Sequence, residues 1–170
     1  MGLEEWWIER TAIIAELVPP QSRVIEFGAG RRQLERFLSP DSSYVPSDLV
    51  DRGAGTIVCD LNCRPLPDFK HLQCNVAVFG GVLEYIRDVS TLVQWVACNG
   101  IEICIASFDS MREGLGFIGR YQELKRRSYY GYMNALTESD LLRAFRAAGY
   151  TCEERRTWTA QVIFRFSKRP

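Results

Sequence analysis

The sequence lacks the features that direct a chain to nucleic acid, across a membrane or out of the cell. Its 21 Lys and Arg residues equal its 21 Asp and Glu residues, so no net charge attracts it to nucleic acid or to an anionic membrane. The basic run KRR at 125–127 is too short to change this. No stretch approaches the roughly 20 apolar residues that span a bilayer, and the acidic N-terminus is unlike a secretory signal. We expect a cytoplasmic protein with no membrane span.

Six cysteines and one histidine do not have the spacing of a metal centre. No CxxC pair occurs, and several cysteines lie in apolar runs such as IEICIAS, where Cys behaves as a small buried hydrophobe. Cys59, Cys63, Cys74 and His71 match no common zinc module. We therefore expect reduced cysteines and no bound metal.

Strand and helix patterns alternate along the 170 residues, which we interpret as one domain, 1–170. Short apolar runs predict strands at 22–28, 42–48, 55–60, 74–81 and 101–108, and helical spacing predicts helices at 3–18, 88–98 and 135–150. A further helix is expected after Gly30. The segments 150–158 and 159–166 leave no room for a helix between them, so they predict an antiparallel hairpin. The pattern favours a mostly parallel sheet with helices on both faces.

Small and acidic residues follow the predicted strands. In such sheets ligands bind beyond the carboxyl ends of the strands, and those ends carry Glu26, Gly28, Gly30, Asp48, Asp60, Gly80 and Gly81. Glycine lets a backbone turn tightly and approach a ligand. An acid after the second strand can accept both hydroxyls of a ribose, and one after the third can accept from an adenine amine. Either aspartate is equally typical of a helix cap or a turn.

The glycine loop RVIEFGAGRRQL discriminates between two cofactors. A dinucleotide loop has the pattern GxGxxG, but position 33 is Gln. S-adenosylmethionine carries no phosphate and bears an ammonium group. The negative charge of Glu26 attracts an ammonium group, whereas it would repel the pyrophosphate of a dinucleotide. We favour S-adenosylmethionine, with a nicotinamide cofactor as the weaker alternative.

Four motifs, VIEFGAG, YVPSDLV, IVCDLNCRPLPD and NVAVFGGVLEYIRDV, resemble in order and spacing those of class I S-adenosylmethionine-dependent methyltransferases. The resemblance covers the chain from Ser22 onward. It implies a three-layer α-β-α Rossmann-like sandwich with a seven-stranded sheet of order 3-2-1-4-5-7-6 and strand 7 antiparallel. It also implies that the cofactor contacts Glu26, Gly28, Ala29, Gly30, Asp48, Leu49, Cys59, Asp60, Leu61, Gly80 and Gly81. One departure is Arg32, where the family often has a third glycine.

The acceptor side is less defined by the sequence. A hydroxyl acceptor needs a base, for which the candidates are Asp109 and Tyr85, although Asp109 also suits a loop or cap. We expect the segment 111–136 to form the acceptor side, since Tyr121, Tyr129, Tyr130 and Tyr132 suit stacking on a sugar or flat ring. It is equally interpreted as a helix that packs over the sheet with a polar outer face.

The N-terminal helix, within 1–20, contains Trp6 and Trp7. It could cover the cofactor, form a dimer contact or pack on the core, so we expect a monomer or a homodimer. The resulting hypothesis is a methyltransferase acting on a small-molecule or saccharide acceptor. The alternative is a methyltransferase-like domain that has weak or no activity and acts as a binding partner, which Arg32 and the absence of an obvious base favour.

Overall fold

The structure, a computed structural model, describes the backbone of residues 3–169 and the side chains of residues 7–169. The side chain of Trp6 and residues 1–2 of the predicted N-terminal helix lie outside the described residues. Within residues 3–169, four helices and seven strands occur in the order α1 (Leu3–Glu16), β1 (Arg23–Phe27), β2 (Ser43–Asp48), β3 (Ile57–Val58), β4 (Val76–Gly80), α2 (Val89–Cys98), β5 (Ile103–Phe108), α3 (Phe117–Tyr129), α4 (Glu138–Ala147), β6 (Tyr150–Trp158) and β7 (Gln161–Lys168). Single 3-10 turns lie at Leu34–Arg36, Lys70–Leu72 and Leu83–Tyr85.

The strands form one sheet in the order β3-β2-β1-β4-β5-β7-β6. Strands β1 to β5 pair in parallel, whereas β7 is antiparallel to both β5 and β6. In register, Phe27 of β1 lies opposite Ser47 of β2 and Phe79 of β4. The carboxyl ends of these three strands therefore meet at one edge. The predicted order and the reversed last strand are confirmed.

Helices cover both faces of the sheet, which confirms the three-layer architecture. On one face Ile14 of α1 and Leu17, directly after this helix, pack with Val24 and Val78 of the sheet. The other face is covered by α2 and α4, whose buried side chains include Leu92, Val96, Leu141 and Phe145. The sheet is thus buried on both sides, as its apolar parallel strands require.

Helix capping agrees with the sequence at α2 and α4. Asp88 accepts a hydrogen bond from the amide of Thr91 at 2.9 Å and is the N-cap of α2. Thr137 and Asp140 form the predicted reciprocal capping box at the start of α4. Both caps satisfy amides that the first helical turn would leave unpaired.

Two predicted elements are shorter than expected. β3 is limited to Ile57–Val58. The helix expected after Gly30 is only the 3-10 turn Leu34–Arg36, so that prediction was wrong. Arg32 has φ 57°, a left-handed conformation that cannot be part of a right-handed helix, so no helix starts before the turn. Pro40 disfavours helical geometry in the residue just before it. The run of apolar residues at helical spacing in this segment is too short to stabilise a helix against these two effects.

All six cysteines are free thiols. Across the described residues no helix is long and apolar enough to cross a bilayer. In that same part of the chain, no three His, Cys, Asp or Glu side chains are grouped so that they could hold a metal ion.

Candidate functional site

The loop after β1 is closed against the two neighbouring strands. The amide of Ala29 donates to Ser47 O at 3.0 Å, and the amide of Gly30 donates to Asp48 Oδ2 at 2.8 Å. Gly28 has φ 72°, and a Cβ there would lie 3.1 Å from Val82 Cγ2. Glycine is needed at this position because the backbone both turns left-handed and approaches the β4 side closely.

Asp48 is the acceptor at the end of β2 that fixes this loop. Its side chain also accepts from the amide of Val50 at 3.3 Å and pairs with Arg52 at 3.2 Å. Burial by itself would raise the pKa of Asp48, but the bonds from Gly30, Arg52 and Val50 outweigh it and hold the pKa below its usual range. Asp48 is therefore a carboxylate at neutral pH, with its charge at the cavity wall.

Glu26 is buried in β1 and faces the same edge. Only 8% of the residue is exposed, and Tyr44 OH donates a hydrogen bond to Glu26 Oε2. Burial raises the pKa of Glu26 to about 7, although the Tyr44 hydrogen bond and the positive charge of Arg10 act in the opposite direction. A cationic ligand beside Glu26 would shift it toward the charged form, so this carboxyl group is poised to respond to an ammonium group.

Arg10 connects the N-terminal helix to this edge. Its Nη2 donates to Gly80 O at 2.9 Å, its Nη1 donates to Gln161 Oε1 at 3.0 Å, and its Cζ lies 4.3 Å from the ring centroid of Trp7. Burial lowers the pKa of Arg10 to about 10, so the guanidinium stays charged at neutral pH. Gly81, at φ 76°, is required here because a Cβ would lie 2.5 Å from Arg10 Nη1.

Two adjoining cavities occupy the carboxyl edge and share Gly28 and Gly30. One, of about 390 Å³, is lined by Glu26, Arg10 and the partly exposed Trp7 of α1. The other, of about 460 Å³, extends past Asp48 toward β3. Each of the eleven residues predicted to contact the cofactor lines at least one of these two cavities: Glu26, Gly28, Ala29, Gly30, Asp48, Leu49, Cys59, Asp60, Leu61, Gly80 and Gly81.

Asn62 closes the far end of the second cavity. Its amide donates to Asp60 Oδ1 at 2.8 Å, its Nδ2 donates to Tyr85 O at 2.8 Å, and its Oδ1 accepts from the amide of Arg87 at 2.9 Å. Asn62 therefore joins the loop after β3 to the segment after β4. Asp60 is held in a turn at the rim, where its carboxylate remains exposed to the cavity.

Asp109, a predicted base, is engaged by arginine. Arg126 of α3 donates to both of its carboxylate oxygens, at 2.8 and 3.1 Å. The main chain of Asp109 is also fixed, because its amide donates to the buried Glu84 Oε1 at 2.6 Å and its carbonyl accepts from Arg127 at 2.9 Å. In this arrangement Asp109 anchors α3. It also lines a separate cavity of about 850 Å³ that shares no wall residue with the other two.

Three of the four predicted acceptor tyrosines form a ladder that ends at the second cavity. Ring centroids are 5.4 Å apart for Tyr129 and Tyr130, 5.9 Å for Tyr130 and Tyr132, and 5.4 Å for Tyr132 and Tyr85. Tyr85, the second candidate base, lines that cavity, and burial raises the pKa of its hydroxyl, so it stays neutral near pH 7. Tyr121 lies outside the ladder on the solvent side of α3, where it is exposed.

Arg32 points away from both cavities. Its guanidinium donates to Glu35 Oε1 and Oε2 at 3.1 Å and to Ala54 O at 3.0 Å. Its backbone φ of 57° is the left-handed conformation that glycine would adopt without strain. Arg32 therefore holds a backbone conformation that favours glycine, although the residue is arginine.

Several site residues were not found by sequence reasoning. They are Arg10, Tyr44, Glu84, Arg127 and Gln161. Arg10 offered one signal, since it lies three to four residues from Ile13 and Ile14 on the apolar stripe of its helix, where a charge demands a buried partner. The others are ordinary polar positions in their own segments.

Sheet order, reversed strand and loop geometry define the class I S-adenosylmethionine-dependent methyltransferase fold. A solved S-adenosylmethionine-dependent methyltransferase from Mesorhizobium loti is similar to this chain with a TM-score of 0.70 and 16% identity, over 92% of this chain and 96% of that one. Magnesium protoporphyrin IX methyltransferase from Synechocystis, solved with bound SAH, gives a TM-score of 0.67 and 15% identity, over 99% and 89% of the chains.

A further similar structure is a Haloferax volcanii complex that contains the Trm112 methyltransferase activator, with a TM-score of 0.70, 13% identity and coverage of 98% and 91%. At these identities the likeness establishes the fold. The sequence matches no protein-family model and no curated protein.

Proposed function

We propose that this protein binds S-adenosylmethionine at the carboxyl edge of its sheet and transfers the methyl group to a small-molecule or saccharide acceptor. The observation that carries the proposal is the pair of adjoining cavities. One presents a carboxyl group, Glu26, and a guanidinium, Arg10, while the other presents the strand-end carboxylates Asp48 and Asp60. A carboxyl group and a cationic guanidinium in a single small cavity complement the ammonium and the carboxylate of an amino-acid moiety.

The glycine positions support the fit. Gly28, Gly30 and Gly81 all have positive φ, so the backbone turns at the wall of these cavities in a conformation that favours glycine. In this proposal Asp48 accepts the ribose hydroxyls and Asp60 accepts from the adenine amine. A dinucleotide fits less well, because its pyrophosphate would meet the buried Glu26 instead of a free helix N-terminus, and only a 3-10 turn follows the loop.

When bound, S-adenosylmethionine supplies an electrophilic methyl group on a sulfonium. The protein's part is to hold the acceptor in line with that methyl at contact distance, which can supply much of the acceleration. In this proposal Tyr132 and Tyr85, at the inner end of the ladder, orient a flat or sugar-like acceptor at the cavity. Asp109 is better suited to positioning α3 than to removing a proton, since both of its carboxylate oxygens accept from Arg126.

The test is a calorimetric titration of the full chain with S-adenosylmethionine, S-adenosylhomocysteine and NAD, followed by thermal unfolding. We expect the first two to bind and to stabilise the fold, by about 2.7 kcal/mol when the ligand is at about 100 times its Kd. Turnover is then measured with tritiated cofactor on a panel of phenols, amines and sugars. Failure of both adenosyl ligands to bind at millimolar concentration would contradict the proposal, and preferential binding of NAD would replace it.

A second candidate is a methyltransferase-like domain that binds cofactor and acts as a partner without turnover. The engagement of Asp109 by Arg126 and the raised pKa of Tyr85 favour it, since neither side chain is then a ready base. The same panel distinguishes the two candidates, because any acceptor-dependent methyl transfer excludes an inactive domain.

A further inference from the structure

Helix α3 differs from an ordinary surface helix in that several of its apolar side chains are exposed to solvent. Phe117, Ile118, Tyr121, Leu124 and Tyr129 are 89%, 71%, 64%, 42% and 85% exposed, and we call these five residues the outer face of α3. They lie on one side of the helix, since positions three or four apart are neighbours on a helical surface. The expected polar outer face of this segment is therefore wrong.

Polar contacts hold the opposite side of α3 to Asp109, directly after β5, and to Asn134 in the loop before α4. Arg127 is buried and donates to Asp109 O at 2.9 Å and to Asn134 O at 3.0 Å. Arg126 binds Asp109 and also pairs with Glu123 at 2.6 Å. The helix is thus fixed without using its apolar side chains, which leaves the outer face available to another surface.

The charges that α3 exposes have one sign. Arg120 and Lys125 are exposed beside the outer face, whereas Glu123, the helix's one acid, turns inward to Arg126 with 11% of its side chain exposed. The chain as a whole has no net charge, so this local excess of cations is a property of the helix. A surface that covers the outer face must therefore be apolar and carry negative charge around the apolar part.

We propose that the outer face of α3 binds the surface of an anionic lipid bilayer, with the helix axis in the membrane plane. An exposed helix with aromatic and aliphatic residues on one side and Lys or Arg beside them has the composition of an interfacial helix. Aromatic rings suit the headgroup boundary, and the long stems of Lys125 and Arg120 let their charges reach the headgroups. A symmetric contact between two copies fits less well, because it would bring like charges together.

The inference goes beyond the proposed methyl transfer and does not depend on it. Its test is flotation of the full chain, without cofactor or acceptor, with vesicles of phosphatidylcholine alone or of phosphatidylcholine mixed with phosphatidylserine. We expect flotation only with the anionic vesicles, and release when salt is raised from about 0.05 M to about 0.5 M, because screening weakens surface electrostatics.

Two double variants separate the apolar and charged contributions. Phe117→Ser with Ile118→Ser is expected to lower partitioning at least about tenfold through lost apolar burial. Arg120→Gln with Lys125→Gln is expected to lower it about thirtyfold, from about 1 kcal/mol per basic residue at the surface. The matched control, Lys70→Gln with Arg143→Gln, removes two exposed cations elsewhere and should stay within about twofold of the parent.

Several results would overturn the inference. No flotation of the parent chain with anionic vesicles at low salt excludes it, as does equal flotation of the Phe117/Ile118 variant with an unchanged far-UV circular dichroism spectrum. Sedimentation showing a dimer that this variant dissociates, without vesicle binding, would assign the face to a second copy. Binding to soluble polyglutamate without flotation would assign it to an acidic protein partner.

Discussion

The amide of Gly30 donates a hydrogen bond to Asp48 Oδ2 at 2.8 Å, across the gap between the β1 loop and the end of β2. The carboxylate thus fixes the glycine loop from the neighbouring strand while it lines the second cavity. Asp48 thus fixes the loop and, in the proposed function, also contacts the ribose. A substitution that keeps an acceptor for Gly30 but removes the charge separates these two roles.

Asp48→Ala should destabilise the fold by about 1–3 kcal/mol, because it leaves the loop amide without its acceptor. Asp48→Asn keeps an oxygen for Gly30 but loses the charge, so it should retain more stability while still weakening S-adenosylmethionine binding. Chemical denaturation and calorimetric titration measure the two effects. The control is Asp51→Ala at an exposed position, expected within about 0.5 kcal/mol of the parent. Unchanged affinity in both Asp48 variants would contradict a ribose role.

Glu26→Gln should change the pH dependence of stability. The folded pKa of Glu26, about 7, lies above its ordinary value of 4.5, so between those values the folded state binds more protons than the unfolded state. Stability contributed by the protonated form is present at low pH and is lost as pH rises through 7. The variant should therefore be more stable than the parent at pH 8, by up to about 3 kcal/mol. Thermal unfolding from pH 5 to 8 measures this.

Ionisation of Glu26, which lowers the stability of the free protein, should strengthen its binding of the cofactor. An ammonium group requires the ionised carboxylate, so the apparent Kd of the parent should rise by up to about tenfold per pH unit below 7. Glu26→Gln should bind weakly and show little pH dependence, whereas the exposed Glu9→Gln on α1 should behave as the parent. Equal pH profiles in the parent and Glu26→Gln would show that this carboxyl does not meet the ligand.

Arg32→Gly should leave S-adenosylmethionine affinity within about twofold of the parent, since glycine adopts the same left-handed conformation. Relief of about 1 kcal/mol of strain offsets the lost Glu35 ion pair, so stability should change little. Gln73→Gly is the matched control, because Gln73 also has positive φ, at 52°, and lies far from the loop. A large loss of affinity in Arg32→Gly alone would show that the guanidinium supports the site after all.

The sheet and its ligand edge were predictable because their signals are local. Glycines and acids directly follow buried strands, and parallel strands place those ends together, so Glu26, Asp48 and Asp60 follow from position alone. The hairpin was predictable for a similar reason, since no helix fits between β6 and β7. Caps such as Asp88 depend on a few adjacent residues.

Residues that act across long sequence separations were not predictable. Gln161 meets Arg10 over a separation of 151 positions, and Gly80 meets it over 70. A helix within 111–136 was one of two interpretations of that segment, and its orientation was not predictable, because the deciding contacts are those of Arg126 and Arg127 with Asp109. Which face of a helix turns inward is set by such partners when the buried side is polar.

Gly81→Ala should loosen the attachment of α1 to the sheet. Alanine at φ 76° is strained, and its Cβ would lie 2.5 Å from Arg10 Nη1, so the guanidinium must leave Gly80 O or Gln161. Gly131→Ala is the matched control, since Gly131 has φ 74° but nothing within 4 Å of the added Cβ.

Both alanine variants should lose about 1–2 kcal/mol through backbone strain. Only Gly81→Ala should lose about 1–3 kcal/mol more from the disrupted buried hydrogen bonds. Hydrogen exchange should then accelerate in α1 for Gly81→Ala and remain as in the parent for Gly131→Ala. Equal destabilisation and equal exchange in the two variants would mean that moving the Arg10 guanidinium does not affect the helix. The apolar contacts of Ile14, and of Leu17 directly after α1, would then be sufficient to hold it.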